Sequence, residues 1–499
     1  MTDRLRAGLR TPRRIAAALA ASGLLAGGIA AAAPANAGTP ITVIVQGASS
    51  GVAGTLVNAL GGDTVTQLPI INGVLAQLPS ANAAKALEAH GATVTPDQTV
   101  AETGLVGALP ATAAATNAFP DETGATLLAG SGINGSGVGV AVLDTGIDPL
   151  PDFGSRLIGG VDYSGEGNPF QDNFGHGTFI AGLVAGDGTS SGGAYTGEAT
   201  GANLIAIKVA GGSGVTDVSK VIEGVQWAVN HRSSLGIKVL NMSLGETPIA
   251  PTQVNPLDQA VEAAWRAGIT VVTSAGNSGS NPGTITSPGD DPYVVTVGAL
   301  DDGATTSTSD DSIAPFSSVG PTAQNGWLKP DLVAAGRSVV SLRAPGSAID
   351  QEYPSAEVGT ANFVGSGTSF SAAITSGAAA LIAQQNPSAG PNDIKARLLA
   401  TATPGPSQNS AAEGHGDLDA YDAATCPPIT LNQPYGFIAV PSILGSVIPL
   451  ASSWNASAWN AANYSTNPSA SAWNASAWNA SAWNASAWND GSWDAASWS

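Results

Sequence analysis

Basic residues are scarce in this chain: 17 Lys and Arg stand against 37 Asp and Glu in 499 residues, a formal net charge of −20. Binding to nucleic acid or to anionic lipid depends on clustered Lys and Arg, so neither partner fits this composition. Cysteine is all but missing. Cys426 stands alone, which excludes an intramolecular disulfide and a Cys-rich zinc site. Histidine occurs only 4 times, so each one is worth locating. Tryptophan is sparse over most of the length, because eight of the 11 lie between Trp454 and Trp498. A Trp-poor middle is therefore joined to a tail of another kind. Long apolar runs are lacking beyond the N-terminal region. The segment YGFIAVPSILGSVIPL is broken by Pro441, Gly445 and Pro449, too short and interrupted to span a bilayer. At about 100 to 200 residues per domain, the length allows two to four modules.

Residues 1–37 carry Arg4, Arg6, Arg10, Arg13 and Arg14, then an Ala/Leu/Ile/Gly-rich run to Ala33, then PANA. A basic region, a short apolar region and small residues at Ala35 and Ala37 make the pattern of a secretory signal cut before Gly38. Its removal leaves 12 basic against 36 acidic residues and a net charge of −24.

From Ile41 the chain reads ITVIVQG, VAGTLVNAL, INGVLAQLP, AAKALEAH and ATVTPD, an alternation of strand and helix that predicts a small α+β unit. The Ala/Thr-rich ALPATAAATNAFP that follows reads as a linker. Beyond it, the apolar runs VGVAVLD (138–144), NLIAIKV (203–209), IKVLNMS (237–243), ITVVTSA (269–275) and YVVTVGA (293–299) read as strands. Between them Val218, Val221, Ile222, Val225 and Val229 recur at helical spacing, as do Leu257, Val261, Ala264 and Trp265 before Gly268. Strands apolar along their whole length and alternating with helices imply a parallel sheet covered on both faces, a doubly wound α/β domain.

In such sheets ligands bind beyond the carboxyl ends of the strands. Asp144 ends the first strand, Ser243, Leu244 and Gly245 follow the third, and Asn277 follows the fourth. His176 lies between two glycines at the start of an apolar helix, in GHGTFIAGLVAG. Ser369 follows a Gly/Ser/Thr loop at the start of another, in GSGTSFSAA, where the helix N-terminus favours developing negative charge. An Asp, a His and a Ser so placed can form an oriented base and an activated hydroxyl. Asn277 and the backbone N–H of Ser369 can stabilise an oxyanion, and losing one such donor generally costs on the order of 3 to 4 kcal/mol of transition-state stabilisation.

The runs DTG, GHGT, NMSLG, AGN and GTSFSAA closely resemble those of the subtilisin-like serine endopeptidases (peptidase S8), over about 300 residues from near Asn134 to around Asp419. The resemblance implies a subtilisin-like sheet, a triad of Asp144, His176 and Ser369, and Asn277 as oxyanion donor. It places Ser243, Leu244, Gly245, Ala275 and Gly276 along the extended substrate and its main specificity pocket. The unit from Ile41 to about Asp97 looks like the family's ferredoxin-like propeptide, an intramolecular chaperone and inhibitor, with autocatalytic release between Ala101 and Pro120. Two positions depart from the family pattern: Phe179 stands for the second His of HGTH, and Ala373 for the usual Pro. The chemistry requires no cofactor. Calcium is a frequent structural ion in the family, and Asp301, Asp302, Asp310 and Asp311 offer oxygens, although no D-x-D-x-D-G loop is present.

Two G-x-S-x-G matches are set aside. Ser49 in GASSG has no sheet before it and reads as a turn serine, and GTSSG at Gly188 follows no strand. From Trp454 the chain repeats SAWNA with a period of five, which fits neither an amphipathic helix nor a simple strand. It reads as low-complexity sequence, or as a multivalent aromatic ladder for cell wall, glycan or protein. The resulting division is a signal (1–37), propeptide and linker (38–118), catalytic domain (119–425), Pro/apolar linker (426–453) and Trp-repeat tail (454–499). The function so read is a secreted, autoprocessed serine endopeptidase acting on proteins or peptides. The competing reading is a catalytically silent surface-binding protein that acts through its tail.

Overall fold

The computed structural model describes residues 39–102, 104–106 and 117–429. The signal, most of the linker and the Trp-repeat tail lie outside these residues. Among the described residues, no helix is long and apolar enough to cross a membrane.

The main sheet has eight strands. From one edge inward they are Leu157–Asp162, Asn203–Lys208, Gly139–Asp144, Ile237–Met242, Thr270–Ser274 and Val295–Asp301, all parallel. Leu332–Ala335 continues parallel beyond Val295–Asp301, and Ser312–Ile313 pairs antiparallel with that same strand. The central strand Gly139–Asp144 is buried at every residue, as its uninterrupted apolar run requires when helices cover both faces.

The helices form where the spacing predicts. In Val218–His231 the buried residues include Val218, Val221, Ile222 and Val225. Pro256–Arg266 is capped by Asn255, whose side chain accepts from Leu257 N at 2.8 Å, and Pro256 occupies its first turn. The helix Thr368–Gln385 is buried from Thr368 to Ala383, which makes it the central spine of the domain.

The small unit has four strands and two helices in the order Ile41–Gln46, Ser50–Ala59, Asp63–Leu68, Gly73–Leu78, Ala81–Ala89 and Thr93–Pro96. Its sheet is antiparallel, in the spatial order 63–68, 73–78, 41–46, 93–96. The strand Asp63–Leu68 is absent from the sequence reading. DTVTQL sits at the sheet edge with only Leu68 fully buried, so its Thr and Gln side chains conceal the alternation. Ser49 caps the first helix by accepting from Val52 N at 3.2 Å.

This unit docks on the two helices after the cleft-forming strands. Gln46 Nε2 donates to Gln259 Oε1 at 2.7 Å, and Ile70 N donates to Gln226 Oε1 at 3.1 Å. Asp97 accepts from Ser219 N at 2.9 Å and from Ser219 Oγ at 2.8 Å. Asp217, the residue that precedes Val218–His231, makes no capping bond with its side chain. The small unit therefore supplies the carboxylate that satisfies the start of this helix.

Candidate active site

Asp144 is the last residue of its strand and His176 the first of the helix His176–Ala185. Both are fully buried. His176 Nδ1 lies 2.8 Å from Asp144 Oδ1 and 3.0 Å from Oδ2, so one carboxylate holds one edge of the ring. The close approach depends on Gly177: a Cβ there would stand 2.2 Å from the Gly146 carbonyl.

The loop before His176 is fixed by Asp172, a residue the sequence reading misses. Its buried carboxylate accepts from Thr145 Oγ1 at 2.8 Å, Gly175 N at 2.7 Å and Thr178 N at 2.8 Å. Thr145 in turn donates its N–H to Asp144 at 2.8 Å and accepts from Gly177 N at 2.9 Å. Asp172 thus braces both the strand end and the helix start. Burial raises its carboxyl above the usual range, against the lowering effect of those donors. An acidic residue just before a helix start was the available signal, and it was masked by the more conspicuous GHGT beside it.

Ser369 is the second residue of Thr368–Gln385 and is fully buried. Its hydroxyl donates to the Ser243 carbonyl at 3.1 Å, while Ser243 Oγ donates to the Ser369 carbonyl at 3.0 Å. His176 Nε2 is buried and accepts no hydrogen bond here. The ring nevertheless sits 6.0 Å, centroid to centroid, from Phe370, the residue after Ser369. Phe370 also packs at 4.5 Å against Phe179, so the Phe that departs from the family pattern links the His helix to the Ser helix through aromatic contact. Ala373 is buried within the Ser helix and continues it without a break.

Asn277 accepts from Thr368 N at 3.0 Å and from Thr368 Oγ1 at 2.9 Å through its amide oxygen. Those two bonds fix the amide plane, and the NH₂ end is the donor it presents. Gly276 N donates to Thr368 Oγ1 at 3.2 Å, which ties the Ala275–Gly276 segment to the Ser helix. Asp144, His176, Ser243, Asn277 and Ser369 are thus brought together at the carboxyl ends of the central strands.

A strand crosses this place. Thr99–Glu102 lies between Val215–Asp217 and Leu244–Gly245, antiparallel to both, with Ala101 opposite Gly245 and Glu102 opposite Leu244. Further on, Gly104–Val106 pairs antiparallel with Asn362–Gly367, Gly104 opposite Gly367. Glu102 Oε2 comes within 3.4 Å of His176 Nδ1. Burial, then the carboxylates of Asp144 and Asp172, push the Glu102 carboxyl well above its ordinary range. Glu102, Asp144 and His176 are close enough to hold one ion, as are Glu122, Asp311 and Asp417. In the first group both Asp144 oxygens are directed at the imidazole, which is the geometry of an oriented base rather than of a metal ligand.

Residues 135–416 match the Subtilase family, Peptidase S8. Serine protease AprX of Bacillus subtilis (strain 168) is 46% identical over 275 residues, covering 54% of this chain and 62% of that protein's length. Subtilisin Savinase of Lederbergia lenta is 37% identical over 272 residues, covering 54% of this chain and 86% of that protein. Among solved structures, that of fervidolysin from Fervidobacterium pennivorans, a keratinolytic enzyme related to subtilisin, superposes with a TM-score of 0.64 at 24% identity, covering 79% of this chain and 62% of that one. At that identity the likeness is one of fold, and it holds for the mostly parallel sheet flanked by helices. The family match spans more than half of the sequence and contains Asp144, Asp172, His176, Ser243, Asn277 and Ser369, and on that ground the chain belongs to the subtilase family.

Proposed function

We propose that the protein is an exported serine endopeptidase, made as a precursor whose N-terminal unit inhibits it and is released by self-cleavage. The observation that carries this reading is the buried Asp144–His176 pair, at 2.8 Å, set beside a serine at a helix start. In this mechanism Ser369 Oγ attacks the carbonyl carbon of the scissile peptide, and its proton passes to His176 Nε2. For that step the hydroxyl turns from the Ser243 carbonyl to the imidazole, a rearrangement of the kind substrate binding commonly completes. Asp144 holds the tautomer in which Nδ1 carries hydrogen and stabilises the imidazolium. The oxyanion is met by the Asn277 amide and the Ser369 N–H. Collapse breaks the C–N bond, His176 returns the proton to the leaving amine, and water then hydrolyses the acyl ester by the same steps.

The strand Thr99–Glu102 supports the precursor reading because it runs where an extended substrate would, between two strands of the domain. Glu102 lies opposite Leu244, and Gly104 lies opposite Gly367, two residues before Ser369. We place the self-processing cut at one of the two bonds joining Glu102 to Gly104. Residues 1–37 carry the export pattern, which accords with a protease that acts outside the cell.

The test compares the full-length chain with Ser369→Ala. The parent should lose its N-terminal unit, begin at residue 103 or 104, and react with a serine-directed fluorophosphonate. Ser369→Ala should stay full-length and unlabelled. Labelling that persists in Ser369→Ala overturns the assignment of the nucleophile, and a first N-terminus outside 103–104 overturns the position of the cut.

A further inference from the structure

The strand Asn362–Gly367 leads directly into the helix that carries Ser369, and each of its two edges is paired. On one edge lies Val339–Leu342, with Val339 opposite Gly365 and Leu342 opposite Asn362. The other edge is shared, end to end, by two short strands that run in the same direction. Gly104–Val106 takes the half next to Ser369, opposite Gly367, Ser366 and Gly365. Glu357–Val358 takes the far half, opposite Phe363 and Asn362. The place opposite Val364 lies between them. A chain that enters beside Ser369 and runs antiparallel along this edge therefore finds four places, from Gly367 to Val364, before it meets Glu357.

The far half is fastened in place. Glu357–Val358 is joined to the strand it covers by Gly359, Thr360 and Ala361, and Gly359 supplies the left-handed residue of the turn at φ 64°. Arg343 ties this hairpin down: its guanidinium pairs with Glu357 at 2.8 Å and with the carboxylate of Asp350, and donates to the Thr360 carbonyl at 3.3 Å. Its backbone N–H donates to the Ala361 carbonyl at 2.9 Å. The segment between Arg343 and Glu357 is pinned in turn to the loop before His176, where Ala348 N donates to the Asn173 carbonyl at 2.9 Å and Ile349 N to the Phe174 carbonyl at 3.0 Å. The near half offers backbone. Gly365 and Gly367 have no side chain, and the Ser366 hydroxyl is engaged by Ser338 N at 2.9 Å, so recognition along this edge comes from main-chain pairing.

We propose that Glu357–Val358 sets the length of substrate that the protease reads on the leaving-group side: main-chain pairing extends over the four places opposite Gly367 to Val364 and stops there. The inference rests on the protease reading above and on Gly104–Val106 marking the path of the leaving-group half. A longer substrate has to turn away from the sheet after the fourth place, so chain beyond it adds nothing to recognition. Loops and chain ends that bend at this point fit the edge. A segment held extended by its own fold would run into Glu357.

The test uses the self-processed full-length chain and internally quenched peptides that share one sequence before the cleaved bond and carry one to eight residues after it, with product masses fixing the bond cut. kcat/KM should rise by about 2- to 10-fold for each residue that adds a main-chain hydrogen bond. It should level off at the fourth residue after the bond if the protease cuts its own chain before Gly104, and at the fifth if it cuts before Thr103, a count that the mature N-terminus decides. Arg343→Ala, which removes the ties to Asp350 and Glu357, should carry the rise up to two residues further once hydrogen exchange shows that the Glu357 and Val358 amides have lost protection. Where Arg343→Ala fails to fold or keeps those amides protected, the parent series decides alone. A rise that continues in the parent through the seventh and eighth residues overturns the proposal, as does a plateau at the first or second. So does an unmoved plateau in an Arg343→Ala chain whose hairpin has opened. A self-processed chain that cuts none of the peptides overturns the protease reading, and the limit with it.

Discussion

At the residue scale, one threonine is the candidate for setting the size of the proposed pocket. Thr286 stands between the two backbone segments that flank the proposed specificity pocket. A Cβ on Gly245 would meet its Oγ1 at 2.6 Å, and one on Gly276 would meet its Cγ2 at 2.9 Å. Its backbone is held there by donation to the Ala275 carbonyl at 3.0 Å. Both walls are glycine at the point of contact, and Thr286 is the side chain that meets both, with Ser318 Oγ also 2.9 Å from a Cβ on Gly276. A pocket so filled should prefer a small residue before the cleaved bond. Thr286→Gly should raise kcat/KM for peptides with an aromatic residue at that position, relative to alanine, by about 10-fold or more, the scale on which hydrophobic pockets discriminate size. Chromogenic tetrapeptides that differ only there would measure it. An unchanged ranking would place the pocket wall elsewhere. Asp144, His176, Ser369 and Asn277 were legible because each sits in a motif fixed by a strand end or a helix start. Thr286 and Asp172 were not, because part of each role comes from a contact distant in sequence, Thr286 with Gly245 and Asp172 with Thr145, and neither sits in a motif.

At the element scale, the strand Thr99–Glu102 carries a pH-sensitive contact in the cleft. In the cleft its Glu102 carboxyl faces Asp144, Asp172 and His176, and its pKa there is well above that of a solvated glutamate. Seating the strand therefore favours the protonated carboxyl. A group whose pKa is raised by an association supports that association fully below its free value and loses that support as pH rises through the raised value. Alkaline pH should then loosen the strand and speed release of the N-terminal unit after cutting. Glu102→Gln should mature with a flatter pH profile, measured as the rate at which the N-terminal fragment dissociates between pH 6 and 9. A parallel profile in both chains would show that release is governed by another group. The elements themselves were read well wherever strands are buried on both faces: the runs at 138–144, 203–209 and 237–243 correspond to Gly139–Asp144, Asn203–Lys208 and Ile237–Met242. Leu157–Asp162 was missed because LIGGVD is a half-exposed edge strand with two glycines, which leaves neither an apolar run nor an alternation to recognise.

At the scale of the whole molecule, the acidity noted in the composition is partly internal, and that has a consequence for stability. Beside the cleft, Glu246, Asp258, Asp290 and Asp291 are buried together. Burial raises Asp291 to about 6, and burial together with repulsion from neighbouring carboxylates raises Glu246 and Asp290 to about 7 and Asp258 well above its usual range. Asp97 of the N-terminal unit adds to the repulsion on Glu246, while Lys329 and Lys395 oppose it at Asp291. The folded state thus holds protons that the unfolded chain releases near pH 4. Stability from these groups is complete below about pH 4 and is lost as pH rises through 6 to 7. Lys395 acts in the opposite direction in a separate window. Its ammonium is lowered to about 7 by burial, so its unfavourable contribution is relieved only as pH rises from about 7 toward 10. The unfolding temperature of the full-length Ser369→Ala chain should therefore fall between pH 5 and 7 and level off above. Asp290→Asn in that background removes one titrating carboxyl from the cluster. It should unfold at about the parent's temperature at pH 5 and a few degrees higher at pH 8, the shift that about 1 to 2 kcal/mol produces in a domain of this size. Calorimetry at the two pH values decides it. An Asp290→Asn chain that is destabilised equally at both would mean that the aspartate is ionised throughout, with Lys329 and not a proton balancing its charge.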